Sequence, residues 1–450
     1  MEAKRLTVAL CGHVDSGKTS LAGTLLYMLG RKDLVPCLAT PEEHLRGITI
    51  TCKRHEFFTD KWNYTLVDCS GHRDFIKNML MGASQAEAAI LLVPADGSFT
   101  SSVQPSSREY IEGGTRQHGR LLRLLGIQQM CVVVNKMDCD LFYGSGRARE
   151  ERFNEIRSEV KRLLAKVGWP KGVVETSIPI LPLCSHTGDN VIAASSNMAW
   201  WPGQELQIGQ ETIHVKTLYD VLNQVFRPKQ SSQAELQPLR MSISNVYCTP
   251  RDRTKIVAGR VEQGCLQAGE EIRLLPEDGD ESEATVDSIQ MFSQARDSAT
   301  EGDLVGLKLA GLGRKPRSGD VVVAKDDMSF RNVIRFDAQV MVRKREIKTG
   351  YCPLAMVRCA RAPCRLCSIR WKMSKQTGDQ KIDAPSELVF GDLALCTFEP
   401  LKPFLCDSST GQSVSFSRII FLDGHQDVLL GRIVHCERKG EYADKGGKKK

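Results

Sequence analysis

Leu6-Thr7-Val8-Ala9-Leu10-Cys11-Gly12-His13-Val14-Asp15-Ser16-Gly17-Lys18-Thr19-Ser20-Leu21-Ala22 decides how this chain reads. A short apolar run leads into a glycine-bounded loop, and a helical pattern then continues to about Leu29. The order is strand, loop, helix. Gly12 to Thr19 fits the Walker A pattern. Its two glycines let the backbone turn tightly and aim N–H groups inward at phosphate oxygens. The following helix adds its positive N-terminal end. In such a loop His13, Val14, Asp15, Ser16 and Ser20 complete the cradle around Gly12 and Gly17. Lys18 reaches the β- and γ-phosphates, and the Thr19 hydroxyl coordinates Mg²⁺.

Three more peptides extend this reading. Asp68-Cys69-Ser70-Gly71-His72 ends an apolar strand about 50 residues beyond the loop, as the mechanism of such sites requires. The Asp68 carboxylate can hold a magnesium-bound water, and the Gly71 N–H can turn to the γ-phosphate. Asn135-Lys136-Met137-Asp138 follows the apolar run 130–134, at the carboxyl edge of a sheet where nucleotides bind. The acceptor-only Asp138 carboxylate can take both donors of guanine's N1–H and N2–H₂ edge, which adenine lacks. Asn135 can tie the loop together and contact the base. Arg46-Gly47-Ile48-Thr49-Ile50 lies between these peptides, and Thr49 can close over Mg²⁺ when the γ-phosphate is present. The combination implies a guanine-nucleotide switch.

Further along, runs 54–58 and 64–68 read as strands, and 89–93 and 130–134 as buried parallel strands. Helical patterns at 74–85, 107–125 and 151–167 separate them. This alternation predicts an α/β P-loop GTPase domain, doubly wound with a mostly parallel sheet, over residues 1–228. Pro228 to Gln233 reads as a linker. Short apolar runs with turn signals then predict two β-barrel domains, over 238–328 and 333–440. Residues 441–450 read as a disordered basic tail.

Composition bounds the class. The 450 residues allow two to four domains, and 41% hydrophobic with 26% charged residues is ordinary for a globular protein. The net charge of +7 permits an anionic partner without requiring one. No apolar run approaches a membrane span, and no signal-peptide core follows Met1, so a cytoplasmic protein without membrane contact is expected. The sixteen cysteines are scattered and suit reduced, packed thiols. Cys359, Cys364 and Cys367 lack a fourth partner at zinc spacing, which argues against a metal site there.

Gly-His-Val-Asp-Ser-Gly-Lys-Thr from Gly12, Arg-Gly-Ile-Thr-Ile from Arg46 and Asp68-Cys69-x-Gly71-His72-Arg73-Asp74-Phe75-Ile76-Lys77-Asn78-Met79 resemble the translational GTPases, and more narrowly the elongation factor Tu/1-alpha family. Gly259-Arg260-Val261-Glu262-x-Gly264 is similar to that family's second domain. Gly350-Tyr351-x-Pro353 and Gly431-Arg432-Ile433-Val434 are similar to its third. The resemblance implies a monomer that binds GTP or GDP with Mg²⁺. It implies delivery of aminoacyl-tRNA to the ribosomal A site, with hydrolysis on codon recognition, and recharging by a guanine nucleotide exchange factor. His72 is then catalytic and orients the attacking water, with Val14 and Ile48 as its apolar gate. Asn135, Lys136, Asp138, Cys184 and Ser185 serve the base, and Thr19, Thr49 and Asp68 (through water) serve the metal.

Departures from the family stand out. Ser70 replaces the usual proline, which predicts a more flexible loop. Cys184-Ser185 replaces Ser-Gly in the last guanine loop. Arg251-Asp252-Arg253-Thr254 stands where the family has a glycine-rich turn near the aminoacyl-end pocket. The segment between the P-loop helix and Thr49 is short. Other readings keep the fold and change the cargo, as in ribosome-rescue or termination factors and the selenocysteine-specific factor, or make the chain a GTP-binding scaffold with little hydrolysis. Rescue and termination relatives carry a long N-terminal extension and the selenocysteine factor a further C-terminal domain, so delivery of aminoacyl-tRNA is the expected function.

Overall fold

The computed structural model describes residues 4–33, 43, 49, 52–105, 112–139, 146–228, 237–248, 255–276, 281–291, 294–374, 378, 380–411 and 414–438. The chain forms two compact units, Met1–Gln230 and Ser231–Lys450.

Beside a hairpin of Gln204–Ile208 with Glu211–Val215, the first unit holds the strands of its main sheet, β1 (Arg5–Gly12), β2 (Lys53–Phe58), β3 (Asn63–Asp68), β4 (Ala88–Pro94), β5 (Gln129–Asn135) and β6 (Ile180–Pro182). The order in that sheet is β2-β3-β1-β4-β5-β6. Only β2 runs antiparallel to its neighbour. The helices are α1 (Lys18–Met28), α2 (Ile76–Ala83), α3 (Phe99–Val103), α4 (Gly114–Leu125), α5 (Gly146–Lys166) and α6 (Lys171–Thr176). Leu6, Val8, Ala9 and Leu10 of β1 and every residue of β4 are buried. That is why these strands read as unbroken apolar runs rather than alternating ones. Each such side chain contributes roughly 1.5–3 kcal/mol on burial.

The sequence expectation for 107–125 needs correction. The helix begins at Gly114; Glu112 and Gly113 precede it in non-helical conformation, and residues 107–111 lie outside the described residues. The short α3 was not anticipated. Residues 229–233 of the expected linker, Arg251–Thr254 and the tail 441–450 also lie outside the described residues.

The second unit holds two closed six-stranded antiparallel barrels. The first contains β7 (Arg240–Cys248), β8 (Lys255–Gln263), β9 (Glu271–Leu275), β10 (Ser282–Met291), β11 (Leu304–Ala310) and β12 (Val321–Ala324). They are ordered β9-β12-β7-β8-β11-β10, and β10 pairs back to β9. The next contains β13 (Val333–Val342), β14 (Leu354–Val357), β15 (Ala360–Met373), β16 (Leu393–Pro400), β17 (Arg418–Asp423) and β18 (Gln426–Arg438). Its order is β14-β17-β18-β13-β16-β15, closed by β14 with β15. Closure removes exposed strand edges. Leu275, Val321 and Val323 of the first barrel pack into the core of the second, and Arg358 pairs with Glu262 at 3.0 Å. On β15 Cys364 is buried and Cys367 only partly so, on opposite sides of the strand. Among the described residues no group of three His, Cys, Asp or Glu side chains is placed to hold a metal. Every described cysteine is a free thiol. No described helix is long and apolar enough to cross a membrane.

Candidate active site

Because β1, β3, β5 and β6 are parallel, their carboxyl ends lie along one edge of the sheet. Gly12, Asp68, Asn135 and Pro182 close these strands. The peptides that begin at Gly12, Asp68 and Asn135, with Cys184-Ser185 after β6, therefore lie along that edge without any long excursion of chain.

Between β1 and α1 the loop turns at Gly17 in the left-handed region, with φ +90°. A Cβ there would fall 2.2 Å from Asn135 Nδ2, so only glycine fits. Lys18 bends back over the loop. Its Nζ donates to the His13 carbonyl at 2.6 Å and to Ser16 Oγ at 3.4 Å. Burial lowers its pKa, against the pull of Asp68 and other neighbours. Gly71 lies directly against it: an added Cβ would meet Lys18 Nζ at 2.2 Å and the His13 and Gly12 carbonyls at 2.8 and 2.9 Å. A cavity of about 250 Å³ opens here, lined by Val14, Asp15, Gly17, Lys18, Thr19, Ser20, Thr49, Gly71, His72 and Lys136.

Beside the cavity the Thr19 hydroxyl donates to Asp68 Oδ2 at 2.7 Å and lies 3.0 Å from the Thr49 hydroxyl. Burial raises the Asp68 pKa to about 6, with Thr19 and Lys18 opposing it. Among the described residues the other Asp68 oxygen, Oδ1, is buried and accepts no hydrogen bond. Two hydroxyls and a carboxylate are a hard-oxygen donor set. Neighbouring ligands of an octahedral ion with bonds of 2.0–2.1 Å stand roughly 2.9 Å apart. The spacing of the two threonine oxygens fits a Mg²⁺ ion, and a metal-bound water would satisfy Oδ1.

The base end is knitted by Asn135, which is fully buried. Its Nδ2 donates to the Ser16 carbonyl at 2.9 Å and to Ser185 Oγ at 3.0 Å, and its Oδ1 accepts from the Ser185 N–H at 2.9 Å. Asp138 is exposed. The Cys184 thiol lies beside it; burial and, more weakly, that carboxylate raise the thiol's pKa. Lys136, at φ 65°, donates to Asp96 Oδ2 at 2.7 Å and borders the cavity.

His72 also borders the cavity. Its Nδ1 accepts from the Asp74 N–H at 3.2 Å. In a neutral imidazole that bond leaves the ring proton on Nε2.

His13 Nδ1 accepts from the Gly114 N–H at 3.3 Å, while its carbonyl takes the Lys18 ammonium within the loop. One sequence expectation changes. Ser70 was expected to loosen its loop. It is fully buried instead, and its hydroxyl donates to the Thr49 carbonyl at 2.5 Å. Ile48, expected with Val14 as an apolar gate, lies outside the described residues.

Two supporting residues carried no signal in the sequence. Thr24 of α1 donates to the Ser185 carbonyl at 2.6 Å. His118 of α4 accepts the Gly12 N–H on Nδ1 at 3.0 Å, and burial depresses its pKa to about 3. Both contacts join residues more than 100 positions apart.

Comparison with known proteins shows the family to which this fold belongs. Residues 3–228 match the model of the elongation factor Tu GTP binding domain. Residues 255–323 match elongation factor Tu domain 2, and 335–434 match the GTP-eEF1A C-terminal domain-like model. The chain is 33% identical to elongation factor 1-alpha of Methanopyrus kandleri, over 97% of this chain and 99% of that protein. It is 30% identical to elongation factor 1-alpha of Onchocerca volvulus, over 100% and 99%. Among solved structures, the GTPase-like domain of S. cerevisiae Ski7 bound to GTP shares the fold, with TM-score 0.71 and 15% identity over 96% of this chain and 97% of that one. Elongation factor SelB from Methanococcus maripaludis shares it with TM-score 0.64 and 17% identity over 97% and 80%. The chain binds guanine nucleotides, is a GTPase, and belongs to the elongation factor Tu/1-alpha family of translational GTPases.

Proposed function

We propose that this chain, in its GTP form, delivers aminoacyl-tRNA to the ribosomal A site and hydrolyses GTP once the codon is recognised. The observation that carries this reading is that the likeness to elongation factor 1-alpha runs through all three folded parts, including the final barrel. Cargo specificity in such a factor rests on the barrels as much as on the nucleotide switch.

In this reading the N–H groups of the Gly12–Thr19 loop cradle the phosphates and Lys18 sets its charge against the β- and γ-oxygens. Among the described residues its buried ammonium donates to a carbonyl and a hydroxyl, so phosphate would supply the counter-charge that burial makes valuable. Thr19, Thr49 and, through water, Asp68 would hold Mg²⁺, which when bound neutralises phosphate charge. Gly71 turns its N–H to the γ-phosphate. His72, with its proton on Nε2, donates to and orients the attacking water, and Val14 with Ile48 keeps it out of line until the ribosome acts. Phosphoryl transfer asks for positioning and charge neutralisation more than for covalent chemistry, and this set supplies both. Asp138 selects guanine, while Asn135, Cys184 and Ser185 hold the loops around the base. The protein acts as a monomer, in the cytoplasm, and is recharged by an exchange factor.

Filter retention of mixed aminoacyl-tRNAs tests the cargo. The expected result is retention by the GTP form, weak retention by the GDP form, and little retention of deacylated tRNA. Equal retention in both nucleotide states, or none in either, overturns the reading and returns the chain to factors with another cargo.

A further inference from the structure

We propose that Ser70 is a positioning residue that couples Thr49 to His72, an inference that rests on the roles just assigned to those two residues. Ser70 is fully buried between them. Its hydroxyl donates to the Thr49 carbonyl at 2.5 Å and accepts from the His72 N–H at 3.4 Å. A serine hydroxyl has one proton to give, and here that proton goes to Thr49. The same oxygen presents a lone pair to the residue that carries the imidazole.

Thr49 is gripped at both ends. Its side-chain hydroxyl lies 3.0 Å from that of Thr19, and its main-chain carbonyl is held by Ser70. Movement of Thr49 with the state of the γ-phosphate therefore changes what the Ser70 hydroxyl can bond to. The Ser70 backbone N–H also faces the Cys52 sulfur, and the Cys52 thiol donates to the Asn78 carbonyl of α2 at 2.9 Å. Thr49 and Cys52 are thereby both tied to Ser70, one through its hydroxyl and one through its N–H. Donating the proton to Thr49 polarises the Ser70 oxygen and strengthens it as acceptor for His72, so the two contacts reinforce each other. When Thr49 closes, His72 is drawn to one place. When Thr49 withdraws, that constraint lapses.

This assignment separates binding from chemistry. The Ser70 hydroxyl bonds only main-chain groups of Thr49 and His72 among its described contacts, so its loss is expected to act on their placement and not on the grip of the Gly12–Thr19 loop. The Ser70→Ala variant keeps the backbone N–H and removes only the hydroxyl. Losing one buried hydrogen-bond bridge slows a step that depends on it by roughly tenfold. The experiment measures single-turnover GTP hydrolysis by the full chain, with and without ribosomes, alongside the GTP Kd. Wild type, Ser70→Ala, His72→Ala and the double variant are compared. The expected result is that Ser70→Ala slows hydrolysis about tenfold with the Kd within about twofold, and that its effect disappears in the His72→Ala background. An equal slowing in both backgrounds, or a loss confined to the Kd, marks a merely structural serine and overturns the proposal. So does an unchanged rate. If His72→Ala itself hydrolyses GTP at the wild-type rate, the role proposed for His72 falls first and the coupling falls with it. Thermal melting of each variant shows whether a lost rate reflects unfolding.

Discussion

Replacing Asn135 by alanine is the sharpest way to ask whether the base end and the phosphate loop act as one unit. Asn135 sits at the end of β5 with no exposed surface and joins three stretches of chain. Alanine leaves the Ser16 carbonyl and the Ser185 N–H without their 2.9 Å partners. The Ser185 hydroxyl can rotate, so its loss counts for less. Each orphaned buried backbone group costs about 1–3 kcal/mol. Two of them total about 2–6 kcal/mol, a large share of the roughly 5–15 kcal/mol that holds a domain folded. Bound nucleotide needs both loops in place, so the GDP Kd should rise at least about thirtyfold, the equivalent of about 2 kcal/mol. Asn135→Asp, which keeps the acceptor toward Ser185 but turns a carboxylate on the Ser16 carbonyl, should bind more weakly still. A fluorescent GDP titration reads the affinity, and urea unfolding of the free protein reads the stability. An alanine variant within twofold of wild type in Kd and within about 0.5 kcal/mol in stability would refute the idea that this side chain holds the loops together.

Gly71→Ala places a methyl against two fixed carbonyls and the Lys18 ammonium. An overpacking cost of about 1–3 kcal/mol predicts GTP binding weaker by about 5- to 150-fold by calorimetry. His118 has a folded pKa of about 3, below the ordinary 6.5, so its contribution to stability is present above pH 6.5 and is lost as pH falls from 6.5 toward 3. His118→Asn, which keeps an acceptor for the Gly12 N–H without titrating, should flatten the wild-type loss of urea stability between pH 6.5 and 4. Asp68 works in the opposite sense. Its folded pKa, raised to about 6, contributes stability below pH 3.8 that is lost as pH rises through 6. In the proposed role its charged form would serve Mg²⁺, so Mg²⁺-dependent GTP affinity should weaken as pH drops below 6, and Asp68→Asn should remove that dependence.

What was legible in the chain was whatever lies in one short peptide between a strand and a helix. Gly12 to Thr19, Asp68 to His72 and Asn135 to Asp138 each carry their geometry locally, because a parallel strand dictates which end of the sheet its loop occupies. Long-range partners were not legible. His118 reaches Gly12 across 106 residues and Thr24 reaches Ser185 across 161, and a helical period shows only that such a residue faces inward. Ser70 is the instructive case. From the sequence one sees the rigid ring that is missing and infers a looser loop. The hydroxyl that replaces it finds an acceptor 21 residues earlier, which only the fold brings near. Helix α4 starts at Gly114 rather than near 107, since the apolar periodicity cannot say where the glycine pair ends the preceding loop.

Calorimetric titration of the purified chain with GTP and with ATP, both in Mg²⁺, bears most directly on the account as a whole. Two hydrogen bonds to a charged carboxylate at about 1.5–3 kcal/mol each put ATP at least about 150-fold weaker than GTP, and Asp138→Ala should erase most of that gap. Equal affinity for the two nucleotides, or no heat with GTP, would contradict it.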